Sequence, residues 1–85
     1  MNPRESLLEL INVFLSGQDR SMQVVSRIEA VAIDYFLDSD VYEILSEPLS
    51  LYRPGEGLPY VNEEEMAEAL EEARRALVDN TDGDE

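Results

Sequence analysis

Residues 24–36, VVSRIEAVAIDYF, read as strand by composition and as helix by spacing, and the choice between the two decides the fold. Valine and isoleucine favour pleated structure and lower intrinsic helix propensity. The period, however, is helical: Val24, Ile28, Val31 and Tyr35 fall on one face with Val25, Ala32 and Phe36 beside them, while Arg27, Glu29 and Asp34 share an outward arc. The stretch is therefore assigned to a helix opened by Ser21, with Tyr35 expected in the core. Upstream, apolar residues at 7, 8, 11, 14 and 15 predict a helix over 3–15, with Asn2 as cap, Pro3 at the first helical position and Ser16-Gly17 as its end. Downstream, Asp38-Ser39-Asp40 offers capping oxygens to a third helix carrying Val41, Ile44, Leu45, Leu49 and Tyr52. Pro48 cannot donate to the carbonyl of Ile44, so that helix is expected to be short or kinked.

The connection that follows is the longest irregular part, punctuated by Pro54-Gly55, Gly57 and Pro59. After it, Asn62 and Glu65 have the spacing of a capping box, Val61 is placed to staple against Met66, and Glu63, Glu64 and Glu65 meet the positive end of the helix dipole. The last helix is expected to run to about Val78, with Met66, Leu70, Ala73 and Leu77 inward. Residues 1–78 thus read as a single helical domain, an all-α compact four-helix bundle, and 79–85 as an acidic C-terminal tail expected to be disordered.

Composition narrows the function. A chain of 85 residues buries only roughly 60–65% of the surface its unfolded form exposes, so the core is modest. Twenty Asp and Glu against six arginines, with no lysine, give a formal net charge of −14. Such a field attracts basic surfaces and opposes direct binding to nucleic acid or to an anionic membrane. Cysteine and histidine are both absent, which removes the thiol nucleophile, the commonest general base and the usual zinc ligands. No spacing singles out a catalytic carboxylate pair, and the reading is of a protein that is not an enzyme and takes no cofactor. NTDGDE, residues 80–85, has the order of part of a calcium loop, but the first ligand position falls on Val78 and no closing glutamate follows, so no metal site is assigned. No uninterrupted apolar segment marks a signal peptide or a membrane span, and a cytoplasmic location is expected.

The acidic residues cluster. Asp40, Glu43 and Glu47 share one face of the third helix, Asp38 precedes them, and Glu56, Glu63, Glu64 and Glu68 follow, with Arg53 alone of opposite sign in the region. Like charges at i, i+4 destabilise a helix by a few tenths of a kcal/mol each. The two readings are a solvated surface and a surface that docks into a cationic cleft. Tyr42, Tyr52 and Tyr60 are candidate anchors for such a docking, since tyrosine gives rigid contact area with a polar tip; the alternative has Tyr52 covering the bundle end and Tyr60 packed beneath the loop. The partner-binding set is accordingly Asp38, Asp40, Glu43, Glu47, Tyr52, Glu56, Tyr60, Glu63, Glu64 and Glu68.

The segments LINVFLSGQDRS (10–21) and YEILSEPLSLYRPGEGLPYVNEEEMAEAL (42–70) give the chain a resemblance to the small helical immunity proteins of the colicin D and contact-dependent growth inhibition type. The matching positions are Phe14 and Gly17, Tyr52 and Pro54, and Asn62 with Glu63 to Glu65, within a similarity spanning about residues 7–78. Pro48 and the absence of lysine depart from that family. The resemblance implies a four-helix protein that neutralises a cognate toxin, typically a transfer-RNA-cleaving ribonuclease, by filling its basic cleft with carboxylates. Two alternatives stand beside it. Asp38-Ser39-Asp40 is similar to the phosphopantetheine-bearing motif of acyl carrier proteins, with Asp40 where leucine belongs, and an acidic adaptor or nucleic-acid mimic would use the same electrostatics on another partner.

Overall fold

The computed structural model describes residues 2–83, with side chains as far as Val78. Four helices follow one another: α1 (Pro3–Leu15), α2 (Met22–Tyr35), α3 (Asp40–Leu51) and α4 (Glu63–Gly83). Spacing therefore prevails over β-propensity in 24–36. The physical reason is the neighbours: α2 packs against α1 and α3, and α4 against α3 and α1, so the four close into a ring in which every apolar stripe faces the centre.

The starts are fixed locally. Asn2 Oδ1 accepts the backbone N–H of Arg4 and Glu5 at 2.9 and 3.4 Å, and Ser21 Oγ accepts that of Val24. Of the three residues at 38–40, Ser39 is the cap, accepting from Tyr42 N–H at 3.4 Å and donating to the Phe36 carbonyl at 2.7 Å. At α4 the capping box is complete: Glu65 N–H donates to Asn62 Oδ1 at 2.8 Å and Asn62 N–H to Glu65 Oε1 at 3.1 Å. Asn62→Ala removes one arm of that exchange and should cost about 1 kcal/mol, read as a lower urea midpoint at unchanged m-value.

The core takes Leu7, Ile11 and Phe14 from α1, Val24, Val25, Ile28 and Ala32 from α2, Val41, Leu45 and Leu49 from α3, and Met66, Leu70, Ala73 and Leu77 from α4. Val61, just before α4, is partly buried and packs against this core. Tyr35 is a correction. It is 64% exposed, because Ala32 is the last buried residue of α2 and the final turn carries the stripe past its cover.

Pro48 lies inside α3, which continues three residues beyond it to Leu51 and at 12 residues is the shortest of the four helices. Helix α4 also runs further than the expected end near Val78. Asp79, Asn80 and Thr81 are weak helix formers rather than breakers, and the backbone stays helical through Gly83. Of the expected tail 79–85, residues 84 and 85, and every side chain from 79 on, lie outside the described residues.

Candidate functional site: an acidic face and the cleft at its end

Three of the four helices present a mixed surface, and the segment from α3 into α4 does not. Residues 38–68 contain nine carboxylates and one arginine, Arg53. Asp40, Glu43 and Glu47 are all exposed, and their spacing of three and four residues lines them up over about 10 Å of α3. Among the described residues no arginine forms an ion pair with any of them; the ion pair present, Arg74 to Glu71 at 3.7 Å, belongs to α4. Asp38 is exposed just before the N-terminus of α3, and Glu56 is exposed in the loop beyond its C-terminus.

The α3–α4 connection is a closed loop. A lone parallel bridge joins Tyr52 to Val61, with Arg53 N–H donating to the Val61 carbonyl at 3.0 Å and Val61 N–H to the Leu51 carbonyl at 2.7 Å. Inside it, Glu56 N–H reaches the Arg53 carbonyl at 3.2 Å and Tyr60 N–H the Gly57 carbonyl at 2.8 Å. Gly55 and Gly57 take φ of 89° and 80°, a backbone region that side-chain-bearing residues rarely adopt, and no atom crowds either Cα. The Leu58–Pro59 peptide is cis.

The loop folds Tyr60 back toward α3, where it shares a cleft of about 300 Å³ with Glu47. Half-buried Pro48, Leu51 and Val61 and exposed Leu58 and Pro59 also line it, with Glu65 contributed by α4. The Arg53 guanidinium lies 5.5 Å from the centroid of the Tyr60 ring, which holds the ring's orientation and leaves it partly exposed. Tyr60 thus keeps its place in the candidate set.

Tyr52 leaves that set. Its ring is 1% exposed and meets Phe14 edge-on at 5.7 Å between centroids. Its hydroxyl donates to the Arg20 carbonyl at 2.7 Å, tying the end of α3 to the α1–α2 connection. Arg20 in turn donates from Nε to the Phe14 carbonyl at 2.9 Å and from Nη2 to that of Leu15 at 3.3 Å, and lies 5.3 Å from the centroid of the Phe14 ring. The last carbonyls of α1 thereby gain a cation, the charge that suits a helix C-terminus. Burial, and then the Glu63 carboxylate, push the Tyr52 phenol above the ordinary tyrosine value, with Arg20 opposing them. Tyr42 is half-buried and supplies the N–H that Ser39 caps.

The α4 carboxylates divide. Glu63 and Glu64 are exposed in the first turn, beside the closed loop. Glu68 instead lines a separate groove between α1 and α4, where Arg20, Arg74 and Glu71 are also found and Arg74 Nη1 donates to Asn12 Oδ1 at 3.0 Å. Cations offset the acids there, so the uncompensated charge is on the α3 side. Glu65, Leu58, Leu51 and Pro48 were not among the sequence candidates. Leu58 carried a usable signal, an apolar residue between Gly57 and Pro59 that belongs to no helical stripe.

Among the described residues no three carboxylates converge as metal ligands would, and no helix is long and apolar enough to cross a membrane. Ser39, the residue that would bear a phosphopantetheine arm, spends its hydroxyl on the two backbone groups of the α3 cap. Comparison with protein-family models, with curated proteins and with solved structures finds no match to this chain, so the functional reading rests on the geometry of the acidic face and its cleft.

Proposed function

We propose that this protein is a binding module that docks its acidic α3 face onto a cationic protein surface, acting as an immunity protein that blocks the basic substrate cleft of a toxin nuclease. The observation that carries the reading is the run of Asp40, Glu43 and Glu47, exposed along one helix face with no ion-pair partner among the described residues. Three aligned carboxylates at helical spacing offer a basic cleft a row of anions in place of RNA phosphates. Blocking of this kind is steric and electrostatic and requires no chemistry from the chain.

The test is capture from the source cells by tagged wild type and by Glu43→Lys/Glu47→Lys, at low and high salt. The reading expects a stoichiometric basic nuclease that the reversed variant fails to hold, and whose RNA cleavage the wild-type protein abolishes at equimolar ratio. Recovery of acyl-chain-processing enzymes together with a mass increment on Ser39 would replace it with the carrier alternative. A nuclease bound equally by both variants would move the interface off α3.

A further inference from the structure

The cleft at the end of the acidic face has a lining that charge docking alone leaves unexplained. Leu58 is 89% exposed, far beyond any other large apolar side chain of the described residues. A single exposed leucine is ordinary on a protein surface. Leu58, though, is continuous with Pro59 and Tyr60, and together they line a depression with half-buried Pro48, Leu51 and Val61. Its volume of about 300 Å³ is ample for one aliphatic or aromatic side chain.

Carboxylates bound this apolar depression. Glu47 lines it from α3 as the last member of the Asp40–Glu43–Glu47 row, and Glu65 lines it from α4. One Glu65 oxygen is used by the capping box, while among the described residues no hydrogen bond or ion pair engages the Glu47 carboxylate. The loop is preorganised: the bridge to Val61 fixes its ends, two internal hydrogen bonds fix its turns, and Arg53 steadies Tyr60. An occupant therefore meets a cleft that is already shaped, which removes part of the ordering cost of binding.

From this we infer that the cleft seats one apolar side chain carried on an arginine- or lysine-rich segment of the partner protein, with the flanking cations reaching Glu47 and the row above it. The inference rests on the reading of the α3 face as a docking surface and names the chemistry of what docks. A second copy of this chain is disfavoured as occupant, because two such rims would bring like charges together. A polar small molecule is disfavoured as well, since among the described residues no buried side-chain N or O is left unpaired to orient one.

The experiment uses two labelled synthetic peptides of about twelve residues, both rich in arginine and lysine, one with a central leucine and the other with serine in its place. Each is titrated by fluorescence anisotropy at low salt against wild type, Leu58→Ser and Leu37→Ser. Leu37 is a control at the other end of α3, itself 54% exposed. Wild type should bind the leucine peptide about ten-fold more tightly than the serine peptide, the preference expected when one leucine side chain leaves water. In Leu58→Ser the preference should fall to about three-fold or less with circular dichroism unchanged, and in Leu37→Ser it should persist. Equal binding of both peptides by wild type overturns the inference while leaving the docking of charge intact. A preference that survives in Leu58→Ser overturns the inference too, and failure of both peptides to bind overturns it together with the docking of charge. The docking reading is judged separately, by whether Glu43→Lys/Glu47→Lys weakens the serine peptide.

Discussion

Replacing Tyr52 by alanine should remove a large share of the protein's stability. The ring is fully enclosed against Phe14, and removing a buried aromatic of this size costs about 3–5 kcal/mol. At about 0.05–0.15 kcal/mol of stability per residue, a chain this short has only about 4–13 kcal/mol in all, so the substitution takes a large share of it. The melting temperature should fall by at least about 12 °C, read by far-UV circular dichroism. Tyr52→Phe separates the ring from the hydroxyl. It keeps the packing, loses the bond to the Arg20 carbonyl, and should cost about 1 kcal/mol.

The same pair of proteins also differs in alkali. Because burial and Glu63 raise the Tyr52 phenol in the folded state, the native protein holds that proton more tightly than the unfolded chain. The associated stability is fully present below the ordinary tyrosine value, near pH 10, and is lost as pH rises through the higher folded value. Wild type should therefore lose ground to Tyr52→Phe as the urea midpoint is followed upward from about pH 9. A constant difference between the two across that range would mean that the phenol is not perturbed by its surroundings.

The second large effect is kinetic. Glu43→Lys/Glu47→Lys changes the charge of the α3 face by four units while touching no buried side chain. Steering by a surface field changes association rates by about 10 to 1,000-fold at low ionic strength. Against a basic partner the double reversal should slow association by at least about ten-fold, measured by stopped flow, and the gap should close as salt shortens the screening length toward about 3 Å at 1 M. The folded state should hardly notice: the repulsion between Asp40 and position 43 turns into an attraction while positions 43 and 47 still repel, a net change of a few tenths of a kcal/mol. An association rate indifferent to both salt and reversal would assign binding to apolar contacts or to another face.

The helices were legible because their information is local. Asn2, Ser21, Ser39 and Asn62 sit within three residues of the N–H groups they cap, and the apolar period places the core side of each helix without reference to its partners. The local logic of a cap fails for Tyr52, whose hydroxyl partner is 32 residues away across the bundle end. Tyr35 misled because period tells which side of a helix is apolar and not how far the neighbouring helices extend. The acidic row on α3 was readable from spacing. The cleft was not, since it exists only once the bridge from Tyr52 to Val61 draws Leu58, Pro59 and Tyr60 back over Pro48 and Leu51. Spacing likewise gave no hint that Glu68 faces a groove containing arginines.

That bridge also bears on how such a protein can diverge. The loop's two ends are joined by hydrogen bonds between main-chain groups at Leu51, Arg53 and Val61, which no side-chain replacement at the tip removes. Positions 56 and 58 project from the closed ring with their side chains in solvent, so exchanges there leave the core untouched. Lengthening a loop whose ends are already held costs little, since the closure entropy grows only with the logarithm of its length. Under the proposed docking role, selection can therefore retune the tip, residue by residue or by insertion, while the bundle beneath keeps its stability, and paired change with a partner becomes accessible through single steps.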